Sequence, residues 1–298
     1  MCCKVALRSI APSGPAAYAR LEGGIEKVRP QFLRLIKPVN HLFKSELYRI
    51  RRESKPGTSF DKPGLFHIPF EERHKVKRQR YSIPGLPSLY LGGSLYVCWE
   101  ELRRPKFESI HVARFEVAPG EKITVLDFMA RPRHMVVGAS LDPCLADGGE
   151  KEDDYCAWAV CWPLMAAAAI APQHDGEPFI AEYIIPQLIL QWITDKSHAD
   201  VDGIAYTSVI CKTHSDYPAA IADLVFPAKE MAASGYCPRL RRKFAMTPPI
   251  AWHLLERVNL PSAGPSASST ELEGLIPGVK TAYGDTALCP QPSCKRTP

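Results

Sequence analysis

Between Leu47 and Glu256 the apolar residues change period repeatedly, and each change marks a strand or a helix. SIHVARFEVAP alternates, with Ile110, Val112 and Arg114 on one face of a predicted strand and His111, Ala113 and Phe115 on the other. KITVLDF reads as a second strand, and Pro119, Gly120 and Glu121 between the two predict a hairpin turn with antiparallel neighbours. Helical spacing is expected over Leu95 to Leu102, Tyr155 to Ile170 and Glu182 to Thr194. In the last of these Ile184, Ile185, Leu188, Leu190 and Trp192 leave little polar face, which predicts a buried helix. GIAYTSVI follows as an inner strand and ADLVFPA as another. Interleaved strands and helices predict one mixed α+β domain over residues 42–258.

The two ends differ from this middle. In residues 1–41, an N-terminal extension, Phe32, Leu35 and Ile36 have helical spacing but Pro30 and Pro38 bracket them, so at best a short helix packs on the main domain. Residues 259–298 are rich in Pro, Ser and Gly without hydrophobic period, which predicts a mostly disordered tail. No repeat is visible. The longest apolar run, Ala157 to Ala171, is broken by Pro163 and falls short of the roughly 20 residues a bilayer span needs. The N-terminus has no h-region of signal-peptide length, and Cys2 and Cys3 lack a basic or amphipathic flank that would support lipidation. A cytoplasmic protein without membrane partners is expected.

Composition adds limits. With 298 residues and 46% apolar content the chain can bury a sizeable core. Its net charge of +5 suits anionic ligands but is far from the basic stripe of a nucleic-acid protein, so no direct nucleic-acid contact is expected. The ten cysteines follow no disulfide framework, which fits a reducing compartment. They and the nine histidines form no CxxC or HExxH, and the pairs Cys156/Cys161 and Cys289/Cys294 lack a matching partner pair, so no metal is expected. Nothing positions Cys98 or Cys211 as a nucleophile.

The chemistry concentrates in QRYSIPGLPSLYLGGS. An Arg-Tyr pair, Arg80 and Tyr81, precedes a Pro-Gly turn; a Leu-Tyr-Leu strand holding Tyr90 then ends at Gly92 and Gly93. Twin glycines admit close approach of a ligand or of another backbone segment. Ser94 is placed to cap a helix from Leu95, with Glu101 on its second turn. Strand, glycine turn and helix together predict a small cleft. The bland alternative makes Tyr90 and Trp99 core aromatics and Glu101 part of a solvated face.

Three blocks bear on that choice: LYRIRR at Leu47 to Arg52, FHIPFEERHKVKRQRYSIPGLPSLYLGGSLYVCWEEL, and DGIAYTSV. In this order they resemble the RES domain family, named for its Arg, Glu and Ser, over about two-thirds of the chain. The resemblance assigns the family's arginines to Arg49 and Arg80, its tyrosine to Tyr90, its glutamate to Glu101 and its serine to Ser208. Glu101, eleven positions after Tyr90, matches the family's spacing. Adjacent Glu100 is its rival, and about 100° of helix rotation separates them, so only one can face a cleft. Ser82 stands where the family has an asparagine-like residue. Tyr81 and Arg73 are further candidates for substrate contact.

The family resemblance implies an ADP-ribosyltransferase-like fold, with mixed, mainly antiparallel sheets and flanking helices. It also implies degradation of NAD+, with inorganic phosphate as acceptor in some members, and in several cases a toxin restrained by a helix-turn-helix antitoxin. No cofactor is implied beyond NAD+ as substrate and phosphate as co-substrate. The residue types suit that chemistry. Nicotinamide leaves NAD+ as a neutral ring, so no proton need be donated to it. Positive charge builds on the ribose, and a fixed carboxylate such as Glu101 stabilises that state more than the ground state. Arg49 and Arg80 offer planar forks for a pyrophosphate or phosphate, with exposed ion pairs as the bland alternative. Tyr90 and Tyr81 offer flat faces for a ring, and Ser208 a positioning hydroxyl. The Lys-Arg run from Arg73 to Arg80 is a solvated loop that can also draw in an anion. Transfer of ADP-ribose to a macromolecule and a non-catalytic binding module remain the alternatives.

Overall fold

A computed structural model describes residues 14–43, 46–53, 55, 57–130, 150–173, 179–211 and 218–252. Helices α1 (Gly14–Lys27) and α2 (Arg29–Arg34) lead into β1 (Ile36–Pro38), the short α3 (Val39–Leu42) and β2 (Leu47–Arg52). After a loop come β3 (Ser88–Gly92), α4 (Leu95–Glu101), β4 (Ile110–Val117) and β5 (Thr124–Phe128). Then follow α5 (Glu150–Ala168), α6 (Ile184–Thr194), β6 (Gly203–Thr207), β7 (Ala222–Pro227), α7 (Pro238–Lys243), β8 (Phe244–Met246) and β9 (Ile250–Ala251). The strands form one sheet in the order β1-β5-β6-β7-β3-β2-β4-β8, with β9 beside β4. Only β5 and β6 run parallel among the described pairs. The architecture is α+β, a mostly antiparallel sheet with flanking helices, as its sequence pattern predicts.

One expected pairing does not form. β4 and β5 are not neighbours: β4 lies between β2 and β8, while β5 pairs with β1 and β6. The turn itself closes, Glu121 N–H donating to Ala118 O at 3.0 Å, with Gly120 at φ +80°. The chain then leaves the edge, because Ala118 N–H donates to Lys243 O at 2.9 Å and brings β8 along the place a hairpin partner would take. Register in the sheet is set by these distant partners and not by the turn.

Each face of the sheet has its own cover. Leu89, Leu91, Leu224, Phe226 and Phe115 point to one side and meet Phe66, Phe70 and Phe244. On the other side Leu126, Ile204 and Val225 pack beneath α2, α5 and α6 through Phe32, Trp158, Ile189 and Trp192. Phe32 and Trp192 meet edge to face at 5.1 Å, worth about 1 kcal/mol beyond the area they bury. The described part of the head, residues 14–43, is thus bound into this core, and β1 supplies an edge of the sheet. Residues 253–298, including the Pro-Ser-Gly-rich tail, lie outside the described residues, as do Cys2 and Cys3. α4 covers the same face at the far end, over Tyr48, Ile50 and Val112.

Residues directly opposite each other in a sheet share a face. Tyr48 pairs with Gly92, Gly92 with Asp223 and Asp223 with Tyr206, so these four residues run in line across β2, β3, β7 and β6. α4 lies over one end of the line and the α5/α6 pair over the other. Gly92, Asp223 and Tyr206 of this line border a cavity. β2 and β3 are joined at the single Tyr48–Gly92 position among the described residues, and Arg49 sits where they part.

Candidate active site

The cavity occupies about 500 Å³. Its walls include Arg49, Arg80, Tyr90, Glu101, Tyr206 and Asp223. Arg49 from the first block and Arg80, Tyr90 and Glu101 from the second therefore meet around one space, and Ser208 from the third reaches it through Glu101.

α4 positions the carboxylate. Ser94 caps it, its Oγ accepting from Val97 N–H at 3.2 Å, and Gly92 lets the helix press onto β3. A Cβ at Gly92 would lie 2.4 Å from Cys98 Sγ, and one at Gly93 would lie 2.0 Å from Ala219 O. The twin glycines serve backbone and helix packing. On the last turn the two glutamates separate. Glu100 is 4% exposed and takes the Arg104 guanidinium on both oxygens, at 2.8 and 2.9 Å, which lowers its pKa. Glu101 instead borders the cavity and accepts a hydrogen bond at Oε1 from Ser208 Oγ. Arg103 and Arg104 then take positive φ of 62° and 53°, a conformation costing non-glycine residues on the order of 1–3 kcal/mol each. That reversal sets Arg103 in the cavity wall and returns Arg104 to Glu100.

Ser208 follows β6. Its Oγ accepts from Ile210 N–H and Cys211 N–H, both at 3.2 Å. With those lone pairs engaged, its proton is directed to Glu101. The serine orients the carboxylate.

The arginines are held so that part of each fork stays open. Arg49 Nη1 donates to Tyr90 O at 2.7 Å, its Nε has no partner, and burial brings its pKa down to about 10, still charged at neutral pH. Arg80 is 6% exposed; Nη1 donates to Ala168 O at 2.8 Å, Nη2 has no partner, and the fork lies 5.4 Å from the Tyr183 ring. Buried guanidinium groups without full satisfaction are costly. Neither arginine forms the exposed ion pair of the bland reading.

Two other candidates fall elsewhere. Arg73, in the 3-10 turn Phe70–Lys75, is exposed and is not among the residues bordering the cavity; Lys75 and Lys77 from the same basic run are. The run curves so that only its later lysines and Arg80 reach the wall. Tyr81 is fully buried against Tyr206, ring centroids 4.5 Å apart. It borders a second cavity of about 420 Å³ together with Phe128, Trp162, Met165 and Ser208. Its hydroxyl has no partner. Tyr206 and Val209 wall both cavities, so the Glu101–Ser208 pair lies where a polar space meets an apolar one.

No protein-family model matches the chain, and no solved structure matches it. A curated relative does. The chain is 30% identical over 255 residues to a protein of Bacillus subtilis (strain 168) described as "Putative toxin YopC". The match covers 80% of this chain and 54% of that protein, so the chain spans about half the length of the relative.

Sequence reasoning missed Asp223. It sits in ADLVFP, a strand in which every residue is buried. A lone carboxylate inside an apolar run was the available signal, because such groups are almost never buried without a partner. Burial, and after it the facing Glu101 carboxylate, hold the Asp223 carboxyl well above the usual range. Tyr206 is raised for the same reasons, burial first and then Asp223 and Glu101. Ser82, in the family's asparagine-like position, borders the cavity and its Oγ donates to Lys77 O at 3.0 Å, closing the basic loop. Among the described residues no group of His, Cys, Asp and Glu could hold a metal, and no helix is long and apolar enough to cross a membrane.

Proposed function

We propose that this protein consumes NAD+, cleaving the nicotinamide–ribose bond with phosphate or water as acceptor, and that it acts as a toxin. The observation that carries the reading is Glu101, fixed by Ser208 at the edge of a cavity whose other walls present Arg49 and Arg80. Oxocarbenium character needs one carboxylate beside the ribose and no acid for the leaving group. Two incompletely satisfied arginines suit the pyrophosphate on one side of that point. The apolar second cavity, with Tyr81 and Trp162, suits an uncharged aromatic ring on the other. Lys75 and Lys77 at the wall favour an anionic substrate.

The likeness to a protein described as "Putative toxin YopC" supports the biological half of the reading. Loss of NAD+ is harmful to any cell that hosts it, which places the action in the cytoplasm. A toxin of that kind calls for an inhibitor, and a helix-turn-helix antitoxin is the partner that follows from the RES resemblance.

The test is to incubate folded protein with NAD+, with and without phosphate, and to follow nicotinamide and the ADP-ribose product. Nicotinamide release with ADP-ribose 1-phosphate or free ADP-ribose is expected. No release under either condition overturns the reading, and ADP-ribose attached to protein replaces it with macromolecular transfer.

A further inference from the structure

Asp223 is the buried group at the site that this chemistry does not yet use. It is 6% exposed, borders the cavity, and lies in line with Gly92 on β3 and Tyr206 on β6. The Glu101 carboxyl borders the same cavity, and its interaction with Asp223 adds to burial in raising the Asp223 pKa. No donor reaches Asp223 Oδ2. Two charged carboxylates side by side here would repel, and Asp223 would also be desolvated, whereas one shared proton turns the same contact into a strong hydrogen bond. The other titratable and charged groups around Asp223 are Tyr206, Tyr90, Cys98, Cys211 and the two arginines, Arg80 acting on it directly and Arg49 through its neighbours Tyr90 and Cys98. Tyr206, Tyr90 and Cys98 are all pushed upward by burial, so none of them supplies a second negative charge.

We propose that Asp223 is a positioning residue that stays protonated and donates its proton to Glu101, so that the pair shows a single negative charge to an anionic dinucleotide. Ser208 then serves Glu101 from one side and Asp223 from another, and the carboxylate cannot rotate away from the ribose. The functional consequence rests on the NAD+ reading; the protonation does not. Ionisation of Asp223 at high pH would set a second charge beside Glu101, against the substrate phosphates, and would remove one of the two donors that hold Glu101.

Two measurements on the full chain test this. The first is the infrared difference spectrum between the parent and Asp223→Asn at neutral pH, which is independent of turnover. The carbonyl stretch of a protonated carboxylic acid is expected in the parent and missing in the variant; its absence from the parent overturns the proposal. The second is turnover against pH for the parent, Asp223→Asn and Asp223→Ala. Asn keeps a neutral donor and the volume, so it is expected to lose less than about threefold at neutral pH and to remove the parent's alkaline limb. Ala is expected to lower kcat about tenfold. Equal losses in both variants with an unchanged alkaline limb overturn it. If the parent does not turn over NAD+ at all, the reading of the reaction fails, and the infrared band alone decides the state of Asp223.

Discussion

The Tyr90 hydroxyl donates to the Tyr81 carbonyl at 2.7 Å, one residue beyond Arg80. The tyrosine that resemblance places in substrate contact therefore also ties the basic loop to β3. Arg49 donates to the carbonyl of the same Tyr90, so both arginines are located through one residue. Tyr90→Phe keeps the ring and removes this tie. KM for NAD+ is expected to rise about fivefold, and stability to fall by about 1 kcal/mol, the usual net value of such a bond. Steady-state kinetics and a denaturant melt measure both.

The two neighbouring glutamates give the clearest contrast. Glu101→Gln keeps the shape and loses the charge, and turnover is expected to fall about 100-fold or more, as for removal of a single group that stabilises developing charge. Glu100→Gln alters the pairing with Arg104 and the contact with Tyr96, none of which borders the cavity, and turnover is expected to stay within about twofold of the parent. The reverse ranking would assign the carboxylate to Glu100.

Ser208→Ala leaves the strand intact and frees Glu101 Oε1. Since the serine orients the carboxylate and does not grip the substrate, kcat is expected to drop about tenfold with KM little changed. A KM effect alone would place the hydroxyl on the ligand.

How much of this was legible beforehand depended on distance along the chain. α4, its Ser94 cap and the glycine turn are local, and their residue types specified them. The alternation in β4 correctly placed Ala113 and Phe115 opposite Ile110 and Val112. The β4–β5 hairpin failed because its turn was read correctly while the partners of each strand came from residues 36–38 and 244–246, which no local pattern announces. Asp223 escaped for a similar reason. Its neighbour Glu101 stands on another element, and only the fold brings two carboxyls together. Arg73 and Lys77 look alike in sequence, and the path of one loop decides which reaches the wall.

His67 sets an acid limit on the fold. Burial brings its pKa down to about 4, with Nδ1–H donating to Ile68 O at 2.7 Å and Nε2 accepting from Cys237 N–H at 2.9 Å. In the unfolded chain the value is about 6.5. Between these values the unfolded state binds more protons, so stability present above about pH 6.5 is lost as pH falls toward 4, by at most about 3 kcal/mol. Melting temperatures measured across this window are expected to fall more steeply in the parent than in His67→Gln.

Gly93→Ala tests the close approach behind α4. With Ala219 O 2.0 Å from the added methyl, the backbone must move, and a loss of about 1–3 kcal/mol is expected from overpacking. A melt unchanged from the parent would mean that the segment yields freely.

The sheet's outer strands have a bearing on life at high concentration. β1 and β8 at its two ends are three residues long, and β1 finishes at Pro38, which has no N–H to offer. Short margins, one of them ending in proline, give another chain little ladder to add to. A sheet this wide therefore offers its own copies little to pair with edge to edge, which disfavours ordered aggregation at high concentration.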